Sequence, residues 1–551
     1  MSSDPYHVQQ GAQKLNLPGE REEPVNPSQP RKLTFSAFVV ATFLLGLLLR
    51  VPTFSRPLLS DDEAIYATTA DALARGDLLY RDVVDHKPPL IYHIYQAGFA
   101  ALGRYNTQGA HALVILSVLL TAGFLFAIKR REGAADAQGA SLAVAGLFLV
   151  FSTTWHDYDD LAANCELFLL APQTIAAWLL LRDLRRGTLG LATHLALGAL
   201  IGTSALIKVQ GLTFLGASIG MLGWWAILGR ASWPRATAMA LCHVAGALVP
   251  PTLYLLGCAA AGNAAATVYW FKFNFSYVDA GLTGLAAITR GLLRTGLIGG
   301  VALVPYALGV LAAVATATGM LRVIRRQQHD VPSSPMVLGL LWLATSAVAV
   351  TAGGRFFGHY FHLILAPLCL LAAPTFCRLW SKGRRYRVAL SALCALPALF
   401  FFVLATIGRP LAVALDEGEP PYDDVATRIA AITAPDDRIF VWGNSPQLYV
   451  LARRPMGTRF SFCNYMTGES PGTPTETGQW DADANQLPAA WEMLFADLEQ
   501  RRPALFVDAA AAGWDGYDKF PLVRYPRLRT YVDQHYRPVE VRAGVVLYRR
   551  L

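Results

Sequence analysis

The residues whose types and spacing could do chemistry fall into a few short strings. The first is Ser60-Asp61-Asp62-Glu63-Ala64-Ile65-Tyr66, and the second is Asp85-His86-Lys87-Pro88-Pro89. A third runs Trp155-His156-Asp157-Tyr158-Asp159-Asp160 and continues to Asn164-Cys165-Glu166. Lys208 stands alone in an apolar setting, and Arg355, His359, Tyr360 and His362 share one short glycine- and aromatic-rich segment. Three consecutive acids just beyond an apolar run are costly near lipid and need a reason. A carboxylate can activate or position a hydroxyl, and Lys, Arg and His can meet the charge of a phosphate. The paired prolines after Lys87 fix a turn that aims the lysine back at the membrane surface. Structural readings stand beside these. Acids in a first helical turn complement the helix dipole, and a lone lysine can snorkel to the interface.

The elements that must position these strings are membrane helices. Of the 551 residues, 54% are hydrophobic and 16% charged, against about 25% charged in an average soluble domain. Mean hydropathy is +0.36. A disordered chain and a fully soluble enzyme are excluded. So is a disulfide scaffold, because the seven cysteines form no C-x-x-C pair. A span needs about 20 mostly apolar residues. Eleven stretches qualify: 35–51, 108–128, 138–153, 163–181, 189–206, 210–229, 236–260, 293–320, 335–352, 360–377 and 388–407.

Alternate loops are basic, as in Lys129-Arg130-Arg131, Arg182 with Arg185 and Arg186, and the run from Arg378 to Arg387. The positive-inside rule makes these loops cytoplasmic. The N-terminus is then inside and the last 140 or so residues outside. The net charge of +8 is mostly a topology signal. Basic residues spread over loops, not gathered on one domain, argue against a nucleic-acid partner. The expected organisation is a disordered cytoplasmic N-terminus (1–32), a transmembrane catalytic domain (33–408) with a first outer loop at 52–106, and an outer domain (409–551). The first apolar run lacks a clear cleavage site and reads as a retained helix.

Acids and bases thus collect on one side of the membrane, at helix ends. A coupled transporter would place them near the midplane of repeated halves, and a channel would show a pore-lining repeat. Neither pattern is found. The asymmetry suits an enzyme acting on a lipid-borne, phosphate-containing substrate.

The string Asp62-Glu63-x-x-Tyr66, followed by Gly76-Asp77-x-x-Tyr80-Arg81-Asp82 and Asp85-His86-Lys87-Pro88-Pro89, resembles the first outer loop of GT-C membrane glycosyltransferases. More narrowly it resembles glycosyltransferase family 39, which includes the protein O-mannosyltransferases and the bacterial lipid A aminoarabinose transferase. Asn164-x-Glu166 with Phe168 is similar to the second acidic site of bacterial members, and His359-Tyr360 with Pro367 to their late outer loop. Asp436 to Gly443, with Pro446 and Tyr449, resembles the start of their outer domain. No room exists for the lumenal insertion of the O-mannosyltransferases, and the loop at about 262–292 is short.

The resemblance implies a polyprenyl-phosphate sugar donor, a lipid, glycan or protein acceptor, and inverting transfer on the periplasmic face of a multi-pass bacterial inner-membrane protein. Asp62, Glu63 and Glu166 are the expected catalytic acids. Lys87, Lys208, Arg355 and His359 are the expected phosphate ligands. Tyr66, Asp85, His86, Asn164 and Tyr360 are expected to position substrate. No cofactor is required on this reading, although two carboxylates with a histidine could hold a divalent ion. The alternatives are a flippase or polymer-handling protein for lipid-linked glycans, and an oligosaccharide ligase or polymerase using a pyrophosphate-linked donor.

The last segment reads as a small α/β domain. Helices are expected near 421–433, 446–453 and 488–500, and strands at 438–442, 458–463, 504–508, 537–542 and 544–549. It has no glycine-rich phosphate motif.

Overall fold

The structure is a computed structural model. It describes residues 29–132, 137–155, 159–188, 190–274, 281–327, 331–414, 420–469 and 480–551. The expected disordered N-terminus, apart from its last residues, and His156, Asp157 and Tyr158 lie outside the described residues.

Ten helices build the first half: α1 (Gln29–Leu49), α2 (Asp61–Ala74), α3 (Leu90–Leu102), α4 (Gln108–Arg130), α5 (Ala137–Phe151), α6 (Cys165–Arg186), α7 (Leu191–Ile207), α8 (Thr213–Ile227), α9 (Trp233–Ala260) and α10 (Ala264–Phe271). Helices at Gly284–Val301, Leu303–Ile324, Ser334–Thr351, His362–Ser381 and Arg384–Ala414 follow. Among the described residues, eight helices are long and apolar enough to cross a membrane, and α5 and α7 are shorter apolar helices. The chain is a multi-pass membrane protein.

Each expected span coincides with a helix, with one correction. The stretch 293–320 straddles two helices that part at Ala302. Ala302 leaves helical geometry, at φ −90° and ψ +41°, and Pro305 then sits in the first turn of the second helix, where its missing N–H costs least. The last helix also runs on to Ala414, past the boundary expected at 409.

Without a hydrophobic force between helices in lipid, close backbone approach holds them together. A Cβ on Gly198 of α7 would lie 2.3 Å from the His243 carbonyl oxygen of α9, and one on Gly246 2.2 Å from that of Leu195. The same device joins α3 to α4 at Gly98 and Gly109.

The outer domain holds a four-stranded sheet in the order β1-β2-β4-β3, with β1 (Ile439–Trp442), β2 (Leu505–Asp508), β3 (Tyr536–Arg542) and β4 (Val545–Arg550). β1 and β2 are parallel and the other pairs antiparallel. β1 is an unbroken apolar run and β2 is apolar up to its last residue, Asp508, and both are buried throughout. The strand expected at 458–463 does not form. Phe460 makes an isolated bridge with Val84 of the first outer loop instead, and Met456, just ahead of the segment, bridges Ile439. The segment serves as a mount. Val84 N–H donates to the Arg459 carbonyl at 2.8 Å, and Arg501 donates to the Asp82 carbonyl at 2.7 Å. A helix at Pro526–His535, not anticipated from the sequence, precedes β3.

Candidate active site

The outer loop is held in place by a helix start. Ser60 caps α2, its hydroxyl accepting from Glu63 N–H at 3.4 Å, which leaves Asp61, Asp62 and Glu63 in the first turn. The three acids then diverge by 100° steps around the helix. Asp62 faces a cavity of about 1080 Å³ between the helical domain and the outer domain. Asp61 faces the outer domain and accepts from Gln447 Nε2 at 2.5 Å. Glu63 points inward and is fully buried.

Lys87 reaches Asp62, with Nζ to Oδ1 at 2.8 Å, and Tyr66 donates to the other oxygen at 3.0 Å. The Lys87 ammonium also sits 4.9 Å from the centre of the Tyr66 ring. Burial alone would raise the Asp62 carboxyl, but Lys87, His359 and Lys208 hold it well below the usual carboxylate range. Burial would lower the Lys87 ammonium, and Asp62 and Asp85 outweigh it and raise it. Asp85 sits behind this pair, fully buried. It accepts from Tyr92 at 2.6 Å and from the His86 backbone at 2.7 Å, with His86 Nδ1 at 2.9 Å. Burial would raise it too, but His86 and Lys87 bring it down to about 2.

The second acidic string arrives on the same side. Glu166 in the first turn of α6 is buried and bonds Lys208 Nζ at 2.5 Å. Lys208 sits at the end of α7, where its backbone turns extended, and its ammonium lies 4.3 Å from the centre of the Tyr360 ring. His359 Nδ1 meets Asp159 at 2.6 Å. Asn164 donates to that same carboxylate at 2.7 Å, so Asp159 joins two of the expected strings.

The cavity wall therefore carries Asp62, His86, Lys87, Lys208, His359 and Tyr360 of the expected residues. Tyr66, Asp85, Asn164 and Glu166 lie one layer back, each bonded to a wall residue or to a wall residue's backbone. Two expectations are placed elsewhere. Glu63 does not line the cavity. It accepts from Leu59 N–H at 2.7 Å, Ala163 N–H at 2.6 Å and His111 Nε2 at 2.9 Å, tying α2 to α4 and to the segment before α6. Arg355 is buried and does not line the cavity either. Gly291 packs closely against Phe356, and the helix at Gly284–Val301 brings Arg294 to the wall instead. Arg56, Asp61, Asp159 and Arg294 are wall residues outside the expected site set, although Asp61 stands in the first quoted string. Asp159 had a signal, since it lies in a quoted acidic string. Arg294 had none, being one charge near the start of an apolar run.

Trp270 of α10 is buried against Phe460 and Tyr465 of the outer domain. The helical domain and the outer domain thus close over the site together. Among the described residues, no group of three or more His, Cys, Asp or Glu side chains is placed to hold a metal ion.

This arrangement, an apolar bundle with an acid–cation site under an outer α/β domain, has the GT-C fold of membrane glycosyltransferases. The chain is similar to ArnT from Cupriavidus metallidurans bound to undecaprenyl phosphate, with a TM-score of 0.56 at 16% identity over 95% of this chain and 98% of that one. It is also similar to the archaeal oligosaccharyltransferase AglB from Archaeoglobus fulgidus in complex with an inhibitory peptide and a dolichol-phosphate. There the TM-score is 0.52 at 14% identity, over 95% of this chain and 75% of that one. No protein-family model and no curated protein sequence matches the chain.

Proposed function

We propose that the chain is an integral-membrane inverting glycosyltransferase that uses a polyprenyl-phosphate-linked sugar. The observation that carries this reading is the pair Lys87–Asp62 at 2.8 Å on the wall of one cavity, with Lys208, His359 and Arg294 on the same wall. The fold shared with two solved proteins bound to polyprenyl phosphates supports it.

On this reading the lipid phosphate sits among Lys87, Lys208, Arg294 and His359. Charge develops on its oxygens as the sugar leaves, and fixed cations in a water-poor cavity stabilise it. An acceptor hydroxyl attacks the anomeric carbon from the opposite side. The new C–O bond forms, the bond to the phosphate oxygen breaks with its electron pair staying on the lipid phosphate, and the hydroxyl proton passes to Asp62. Lys87, drawn partly to the phosphate, releases its hold on Asp62 at the moment the carboxylate is needed. Asp85 and Glu166 act as positioning residues for the lysines. The cations already present meet the phosphate charge, so the account requires no cofactor. The Lys and Arg distribution supports a cytoplasmic N-terminus and an outer domain on the periplasmic face of a bacterial inner membrane.

The test is glycan transfer by the protein reconstituted in liposomes with a bacterial glycolipid extract as donor. Asp62→Ala and Lys87→Ala abolish transfer on this reading. Intact transfer in both variants removes the assignment. Lipid translocation that survives while no transfer is ever detected favours the flippase alternative, and transfer only from pyrophosphate-linked donors favours the ligase or polymerase.

A further inference from the structure

The two walls of the cavity differ in charge. All the basic side chains that line it, Arg56, His86, Lys87, Lys208, Arg294 and His359, come from the helical domain. The outer domain lines it with Asp423, Glu469 and Asp515 and, among the described residues, with no lysine, arginine or histidine. A phosphate would be drawn to the first wall and repelled by the second.

The second wall is also rich in unused hydrogen-bond acceptors. Gln447 is 5% exposed, and its Nε2 is taken by Asp61 while its Oε1 has no partner among the described residues. Glu469 gives one oxygen to Lys519 at 3.1 Å, and its other, Oε2, has no partner among the described residues. The Tyr465 hydroxyl is likewise buried and has no partner among the described residues. A buried polar atom left unpaired costs free energy, so a well-packed wall with three of them points to a ligand that supplies donors. Flat surfaces flank them. Trp480 is fixed by its indole N–H to the Gly468 carbonyl at 2.7 Å, and Tyr422 by its hydroxyl to Asp515 at 3.0 Å.

We propose that this wall is the acceptor subsite and that it takes a neutral, hydroxyl-rich carbohydrate, not a phosphate-bearing head group. Hydroxyls donate to Gln447 Oε1 and Glu469 Oε2 and exchange with the Tyr465 hydroxyl, while the apolar face of a sugar ring packs on Trp480 or Tyr422. The inference rests on the glycosyltransferase reading for the word acceptor. It narrows the acceptor from lipid, glycan or protein to glycan.

The experiment uses the full chain in nanodiscs and saturation-transfer NMR. The probes are the neutral disaccharides maltose, lactose and chitobiose, each beside a monophosphorylated counterpart, with undecaprenyl phosphate measured separately. The expected result is saturation of at least one neutral disaccharide and of none of the phosphorylated ones. Tyr465→Phe and Trp480→Ala should each weaken that binding about tenfold or more and leave undecaprenyl phosphate binding unchanged. Lys87→Met should do the reverse. Tyr465→Phe removes one oxygen only, so it carries the test if Trp480→Ala fails to fold. Binding of no neutral probe, a preference for the phosphorylated probes, or binding indifferent to both variants overturns the proposal. If the disaccharide pattern holds but undecaprenyl phosphate does not bind, the donor reading fails and the subsite stands.

Discussion

Replacing Glu63 separates a catalytic acid from a strut. Its carboxylate accepts from two buried backbone N–H groups, Leu59 at 2.7 Å and Ala163 at 2.6 Å, and from His111 at 2.9 Å. Among the described residues, the other ring nitrogen of His111 has no partner. Glu63→Ala therefore strands two amides and an imidazole in the protein interior. Each orphaned donor costs about 1–3 kcal/mol, so the two amides alone cost about 2–6 kcal/mol. In Glu63→Gln one oxygen can still serve Ala163, but the new NH₂ faces a donor at Leu59, and the loss should be intermediate. Membrane proteins of this size unfold irreversibly, so the readout is the half-life of the monodisperse, detergent-solubilised protein on heating. The account predicts the order wild type, Gln, Ala in half-life. It also predicts turnover per folded molecule within several-fold of wild type in Glu63→Gln. Unchanged heat resistance with turnover lost by three orders of magnitude in Glu63→Gln would show that the carboxylate acts on substrate and that the strut reading is wrong.

Three further outcomes follow from the same geometry. Because cations depress the Asp62 carboxyl, its contribution to stability is complete above about pH 4 and is lost as pH falls through the lowered value. In Lys87→Met burial remains and the nearest cation is gone, so a protonated carboxyl band, assigned by difference against Asp62→Asn, should appear in infrared spectra above about pH 4. No band there contradicts the coupling. Removing one partner of the buried pair Lys208–Glu166, as in Glu166→Leu, should cost about 3–5 kcal/mol, and the double variant with Lys208→Met should recover most of it in thermal unfolding. Equal losses in single and double variants contradict the pairing. Gly198→Leu forces in a side chain whose Cβ alone would lie 2.3 Å from the His243 carbonyl oxygen, and should cost about 1–3 kcal/mol or more. Wild-type heat resistance would mean that α7 and α9 do not cross this closely.

The helices were legible because spans are written in local hydropathy, and the eleven apolar stretches needed only one correction, at Ala302, where the backbone leaves helical geometry without a break in hydropathy. Part of the site was legible because Asp62, Lys87, Lys208 and His359 are ionisable residues at helix ends, where lipid makes charge conspicuous. The outward or inward sense of each acid was not. Asp61, Asp62 and Glu63 are neighbours in sequence, and only the contacts of Glu63 with His111 and Ala163, far along the chain, show which one turns into the core. The acceptor wall was illegible for another reason. Gln447, Tyr465 and Glu469 belong to no motif, and it is their missing partners, visible only in three dimensions, that mark them. The strand expected at 458–463 failed because Phe460 pairs with Val84 on the first outer loop, a contact that local periodicity does not carry.

The central claim is that Lys87 holds a lipid phosphate beside Asp62. The most direct test is mass spectrometry of lipids that co-purify with the wild-type protein and with Lys87→Met from the same membranes. The account predicts a polyprenyl phosphate, with or without its sugar, on the wild type and its depletion by about tenfold or more in the variant, the scale expected for losing one charge-assisted contact. A polyprenyl phosphate retained equally by both proteins, or none on either, would contradict it.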